Sequence, residues 1–214
     1  GTKVAVIDTR LSNTASKADY WISPLPGTES GLLLAIANYL IKNDLYNIEF
    51  IRQWVNWKQL LEDQQYLQFL TDSKILPNVP EYTTFEEFQL LLKRLYEPYS
   101  LEWAQQETGV PSTQIEAIAS EVAAAGSSLA THIWRNAAAG HLGGWMVART
   151  LFFLNVLTGS VGTKGGTLPN AWTKFVPRAF SVPKPIERWN TVHYPKEFPL
   201  AHFEMRFLLP QLLK

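Results

Sequence analysis

The first forty residues constrain the fold more than any other stretch, because they set strand-like and helix-like patterns in a fixed order. Residues 3–8 (KVAVID) form a short apolar run ending in an acid. That pattern suits a buried parallel strand whose carboxyl end meets a ligand crevice. A polar loop or short helix covers 9–19, residues 20–25 read as a second short strand, and Pro26-Gly27 is the turn after it. Thr28 can cap a helix running through Leu32, Leu33, Ile36, Tyr39 and Leu40, whose spacing makes one broad buried face. Strand, loop, strand, turn, helix is the order of an open α/β sheet that binds a nucleotide. The predicted class is α/β, a Rossmann-like open sheet with flanking helices.

The remainder is mostly helical. Residues 44–70 are helical in pattern and rich in Trp and Tyr, and Trp54, Trp57 and Tyr66 are expected to pack in a core or between subdomains. Pro77 and Pro80 mark 71–82 as a surface connection. Thr83 and Glu86 form a candidate capping box opening a helix over 85–95. Ser100 is placed to cap a helix through Gln106 that Gly109 ends, and Pro111 and Ser112 precede an alanine-rich helix over 114–125 closed by Gly126. A β-like run follows at 128–134, then a small-residue turn, a helix over 145–157, and four glycines between 159 and 166. From Leu168 onward Pro, Trp and Phe dominate, which predicts an extended tail before a last helix candidate over 203–214, interrupted by Pro210.

Composition excludes several functions. With 19 basic and 19 acidic residues the chain has no single-sign field to recruit nucleic acid or an acidic membrane surface. It contains no cysteine, so no disulfide, Cys-ligated zinc, iron–sulfur cluster or cysteine nucleophile lies within it. Its longest apolar runs fall well short of the roughly 20 residues that span a bilayer. The chain starts at Gly1 directly in a strand-like run, with no initiator Met or signal-peptide pattern, and it is expected to be a segment of a larger protein.

Several side chains carry candidate chemistry. Asp8, at a strand's carboxyl end, can accept hydrogen bonds from a ribose diol or satisfy nearby loop amides. Arg10 can pair with a phosphate or form a surface ion pair, and the residues alone leave both open. Gly27 allows close backbone approach and Thr28 can donate its hydroxyl. Glu29 can accept two adjacent donors on one edge of guanine, or serve as an ordinary first-turn acid. Residues 135–144 (RNAAAGHLGG) are small or polar, as expected where backbone nears a ligand. His141 alone is more often a hydrogen-bonded histidine than a catalytic one, and His132, His193 and His202 lack metal-site spacing. The 159–166 loop is no phosphate loop, since Lys164 does not follow the last glycine and a helix precedes it. Asn155 either bonds near its own helix or faces a ligand.

Two stretches together resemble the molybdopterin oxidoreductase family, also called the dimethyl sulfoxide reductase family. The first is VAVIDTRLSNTASKADYWISPLPGTESGLLLAIANYLI; the second runs from SLEWAQQETGVPSTQIEAIASEVAAAG to LFFLNVLTGSVGTKGG. The resemblance covers most of 4–166 and weakens afterwards. It departs at Thr9, where proline is common, and at Glu29, where aspartate is common. It implies a catalytic subunit carrying molybdenum or tungsten on a bis(molybdopterin guanine dinucleotide) cofactor for two-electron chemistry such as oxygen-atom transfer or formate oxidation. It further implies cofactor contacts at Asp8, Thr9, Arg10, Gly27, Thr28, Glu29, Arg135 and Ala139, the last through backbone, with Asn136 and His141 weaker candidates. No metal ligand is assigned, and this segment alone is expected to be inactive.

The resemblance sorts the chain into part of a dinucleotide-binding α/β unit (1–45), a helical insertion (46–99), a second α/β part (100–166) and an extended tail (167–214). Implied partners are a small-molecule substrate, an iron–sulfur electron-transfer subunit and a membrane-anchor subunit, with no nucleic acid. An iron–sulfur cluster is expected elsewhere in the full-length chain or in a partner. The compartment stays open between prokaryotic cytoplasm and periplasm. The alternative is a structural relative in a respiratory complex that keeps the fold without the pterin, though a pure scaffold has no need of Asp8, Gly27, Thr28 and Glu29.

Overall fold

The computed structural model describes residues 1–133, 140 and 143–168, all within one compact unit that spans Gly1–Asn170. Two strands, β1 (Ala5–Ile7) and β2 (Tyr20–Ile22), pair in parallel with Ala5 opposite Tyr20 and Ile7 opposite Ile22. Among the described residues eight α-helices follow: α1 (Glu29–Lys42), α2 (Ile48–Trp54), α3 (Trp57–Glu62), α4 (Gln64–Asp72), α5 (Phe85–Tyr96), α6 (Leu101–Thr108), α7 (Ser112–Ala125) and α8 (Gly144–Thr158). The described fold is therefore helix-rich with a small sheet.

Helix α1 is the axis of the unit. The sequence predicted one buried face, but Leu32, Leu33, Ala35, Ile36, Ala37, Leu40 and Ile41 are all buried, because α5, α6, α7 and α8 pack around it. A helix apolar on nearly every side is stable only when enclosed in this way. The strand expected to be buried is not: Val4 is 45% exposed and Ala5 is exposed, while only Ile22 of β2 enters the core. A clasp outside the sheet ties both strands to α7, with the Tyr20 hydroxyl donating to Glu121 Oε1 at 2.7 Å and Lys3 pairing with the same carboxylate.

Local signals held where they were local. Ser100 caps α6 by accepting from Trp103 N at 3.1 Å, and Gly109 ends it at φ +72°. The N-cap of α5 lies one residue further on: Thr84 Oγ1 accepts from the amide of Glu87, without the reciprocal bond of a capping box. Its register follows the core, since Phe85 and Phe88 must both turn inward, where they meet Trp57 at ring separations of 5.3 and 6.2 Å. Trp54, expected to pack in a core or between subdomains, is 69% exposed, and residues 44–70 divide into three short helices.

The β-like run at 128–134 forms no strand over 128–133, and Trp134 lies outside the described residues. A 3-10 turn at Gly126–Ser128 precedes it, and side chains then satisfy its backbone. Asn155 Nδ2 donates to Leu129 O, and Thr131 N donates to Thr167 Oγ1. The tail from 169 and the helix candidate over 203–214 lie outside the described residues.

Candidate functional site

Parallel pairing brings the carboxyl ends of β1 and β2 to one edge, so the turn after each strand emerges there. The first turn begins at Asp8, whose amide still donates to Ile22 O at 3.0 Å. Past that bond β2 holds the turn with side chains. The Trp21 indole Nε1 donates to Asp8 O at 2.8 Å, and the Ser23 hydroxyl donates to Thr9 O at 3.1 Å. The Asp8 carboxylate accepts the Arg10 amide at 3.2 Å on Oδ1. A hydrogen bond from the Ser12 side chain, helped by that amide, holds its carboxyl below the usual carboxylate range. Asp8 thus satisfies a loop amide and stays ionised, with lone pairs left over of the roughly four a carboxylate offers. Thr9 and Arg10 are exposed, and among the described residues Arg10 has no carboxylate within 4.0 Å.

The second turn, Pro26 to Glu29, leads into α1. Gly27 sits at φ +87°, where a side chain would be strained, and nothing lies within 4 Å of the place a Cβ would take. Thr28 stands at the N-cap of α1 but does not cap it. Its hydroxyl donates to Leu25 O at 2.6 Å, which removes the free donor the sequence suggested and leaves an acceptor oxygen. Leu25 N in turn donates to Thr108 O at 2.8 Å, pinning the turn to the end of α6.

Glu29 lies in the first turn of α1, and its Oε2 is buried without a hydrogen-bond partner. No other side-chain nitrogen or oxygen among the described residues is in that state. Leaving a buried acceptor unpaired costs about 1–3 kcal/mol, more for a charged group, so such an atom calls for a donor.

Of the remaining candidates, only Asn155 lies among the described residues. Arg135, Asn136, Ala139 and His141 lie outside the described residues. Asn155 is fully buried and turned into its own neighbourhood: the two N–H groups of Nδ2 are shared among Leu129 O, Ser160 Oγ and Thr167 Oγ1 at 2.8–3.0 Å, while Oδ1 accepts from Thr131. The glycine loop beyond it closes on itself, since a Cβ at Gly166 would lie 2.3 Å from Ser160 O. Trp21 and Ser23 were missed by the sequence reading. Their signal was positional, two donors at i and i+2, one on β2 and one just after it, flanking the core residue Ile22. No group of three metal-ligating side chains occurs among the described residues.

No protein-family model matches the chain. Similar proteins are nonetheless found over most of its length. The arsenate respiratory reductase molybdopterin-containing subunit ArrA of Shewanella sp. (strain ANA-3) is 30% identical over 168 residues, 78% of this chain and 18% of that protein. Dimethyl sulfoxide reductase DmsA of Haemophilus influenzae is 27% identical over 166 residues, 77% of this chain and 19% of that protein. The chain belongs to the molybdopterin oxidoreductase family.

The fold agrees. Acetylene hydratase from Pelobacter acetylenicus superposes on 74% of this chain and 17% of its own, with a TM-score of 0.52 at 24% identity. The chain spans about a fifth of the length of the curated molybdopterin oxidoreductases it matches. The residues that carried the resemblance follow the carboxyl ends of two adjacent parallel strands. Asp8, Thr9 and Arg10 stand at one strand end, Gly27 and Thr28 follow the adjacent parallel strand, and Glu29 presents an unpaired buried oxygen. That orphaned acceptor and the open ground over Gly27 fit a ligand that brings hydrogen-bond donors.

Proposed function

We propose that this chain is part of the catalytic subunit of a molybdenum or tungsten oxidoreductase and holds a guanine end of its bis(molybdopterin guanine dinucleotide) cofactor. The observation that carries the reading is the buried, unpaired Oε2 of Glu29. Guanine offers two adjacent donors on one edge, and a carboxylate accepts both. Asp8, kept ionised by Ser12 and the Arg10 amide, would take the ribose hydroxyls. Arg10 would meet a phosphate, with Thr9 beside it, while Gly27 admits the ligand close to backbone and Thr28 contributes an acceptor. Arg135 and Ala139 would lie towards the pterin. In the whole protein β1 and β2 would belong to a Rossmann-like open sheet.

The bound cofactor would supply two-electron redox chemistry, such as oxygen-atom transfer or formate oxidation, and this chain's residues would bind and orient it. The partners that follow are an iron–sulfur electron-transfer subunit and a membrane-anchor subunit. No helix among the described residues is long and apolar enough to cross a membrane.

The test is Glu29→Gln in the full-length protein, which keeps size but turns one acceptor into a donor. Charge-assisted hydrogen bonds are worth about 1.5–3 kcal/mol each, so guanine retention should fall roughly tenfold or more. If Glu29 were only a first-turn acid, the change would remove about 0.3–1 kcal/mol of dipole interaction and leave guanine content unchanged. Wild-type guanine per metal with only a small melting shift would sink the guanine reading.

A further inference from the structure

We infer that Trp21 and Ser23 are positioning residues for the Asp8 carboxylate, holding the Asp8 and Thr9 carbonyls so that the turn after β1 presents its side chains to the dinucleotide. The inference rests on the dinucleotide reading above and extends it to two residues which that reading does not use.

The argument starts from how the turn is held. Main-chain pairing between β1 and β2 ends at the Asp8 amide, which reaches Ile22 O at 3.0 Å. The next two carbonyls, of Asp8 and Thr9, would otherwise face water. Instead each receives a side-chain donor from β2 or the residue after it, the Trp21 indole at 2.8 Å and the Ser23 hydroxyl at 3.1 Å. Residues two apart on an extended chain point to the same side, so both donors reach the turn together while Ile22 enters the core. Holding two consecutive carbonyls fixes two consecutive peptide planes, and with them the directions in which the Asp8, Thr9 and Arg10 side chains leave the backbone.

The donors are themselves anchored. Gln114 Nε2 of α7 donates to Trp21 O at 2.9 Å, so the clamp is tied to a helix as well as to the sheet. Trp21 is 37% exposed, so it is not a core residue. Trp21→Phe removes the N–H and keeps part of the aromatic packing, while the Ser23 variants test the same clamp with almost no change of volume.

The experiment uses the full-length holoenzyme and reads guanine nucleotide retained per pterin after dialysis, alongside melting curves. Trp21→Phe should lower retention by roughly threefold to tenfold, the effect of one neutral hydrogen bond on placement of the carboxylate. Ser23→Ala should do likewise, and Ser23→Thr, which keeps the hydroxyl, should restore it. The deciding measurement is a cycle with Asp8→Ala. If Trp21 acts through Asp8, Trp21→Phe should cost clearly less once the carboxylate is gone. Equal losses in both backgrounds, or wild-type retention in Trp21→Phe, would overturn the inference while leaving the dinucleotide reading intact. Wild-type retention in Asp8→Ala would overturn the ribose role of Asp8 and this inference with it, whereas the Glu29→Gln result bears on the guanine reading alone.

Discussion

The side chain of Asn47 occupies the space that a side chain at Gly159 would need: a Cβ there would lie 2.6 Å from Asn47 Nδ2 and 3.0 Å from its Cγ. Gly159 closes α8 at φ +67°, and Asn47 caps α2 by accepting from Phe50 N at 2.9 Å, while its own amide donates to Leu157 O at 2.7 Å. One helix therefore ends where another begins, and the junction depends on a residue without a Cβ. Gly159→Ala should destabilise the protein by about 2–3 kcal/mol, combining left-handed backbone strain with a disturbed cap. Denaturant unfolding measures it. Adding Asn47→Gly should recover the overlap component and leave the backbone strain; no recovery would show that the strain accounts for the whole loss.

Asn155 joins three segments that have no sheet to join them. Its amide and carbonyl meet Leu129, Thr131, Ser160 and Thr167 inside the core, and the Thr158 hydroxyl adds a bond to Ser160 Oγ at 3.0 Å. Asn155→Leu matches the volume but strips partners from several buried groups at once. A loss of about 3 kcal/mol or more is expected, given about 1–3 kcal/mol for each buried polar group left unpaired. Hydrogen exchange should show the amides of 129–133 opening first. A variant with wild-type stability would mean that water replaces the side chain there.

Tyr96 predicts an alkaline limit. Burial, with a smaller contribution from Tyr99, pushes its phenol up to about 12, while Phe153 stacks on the ring at 5.3 Å. A phenol whose folded pKa lies above the roughly 10 of an unfolded chain stabilises fully below pH 10. That contribution, at most about 2–3 kcal/mol, is lost as pH rises from 10 towards 12. Tyr96→Phe keeps the stacked ring and removes the titration. Its melting temperature should fall less steeply than wild type across this window, and parallel curves would show that Tyr96 does not set the alkaline limb.

Some of this protein was readable in its sequence because the physics is local. The helix boundaries at Ser100, Gly109, Pro111, Gly126 and Gly159 follow from capping and from backbone angles that few residues tolerate. The two strands and the Pro26-Gly27 turn were legible for the same reason, as was the cluster of candidate residues at the strand ends. Other features required the packed chain. Thr83-x-x-Glu86 and Thr84-x-x-Glu87 are equivalent as patterns, and burial of Phe85 and Phe88 chose the second. Residues 128–133 look like a strand, yet Asn155 and Thr167 take the hydrogen bonds a neighbouring strand would have made. The unpaired oxygen of Glu29, the engaged hydroxyl of Thr28 and the hold of Trp21 on Asp8 also depend on which elements meet. A sequence shows what a side chain can donate or accept along its own stretch of backbone. Only the assembled core determines which of those groups finds a partner and which is left for a ligand, because the partners come from residues far away in the chain.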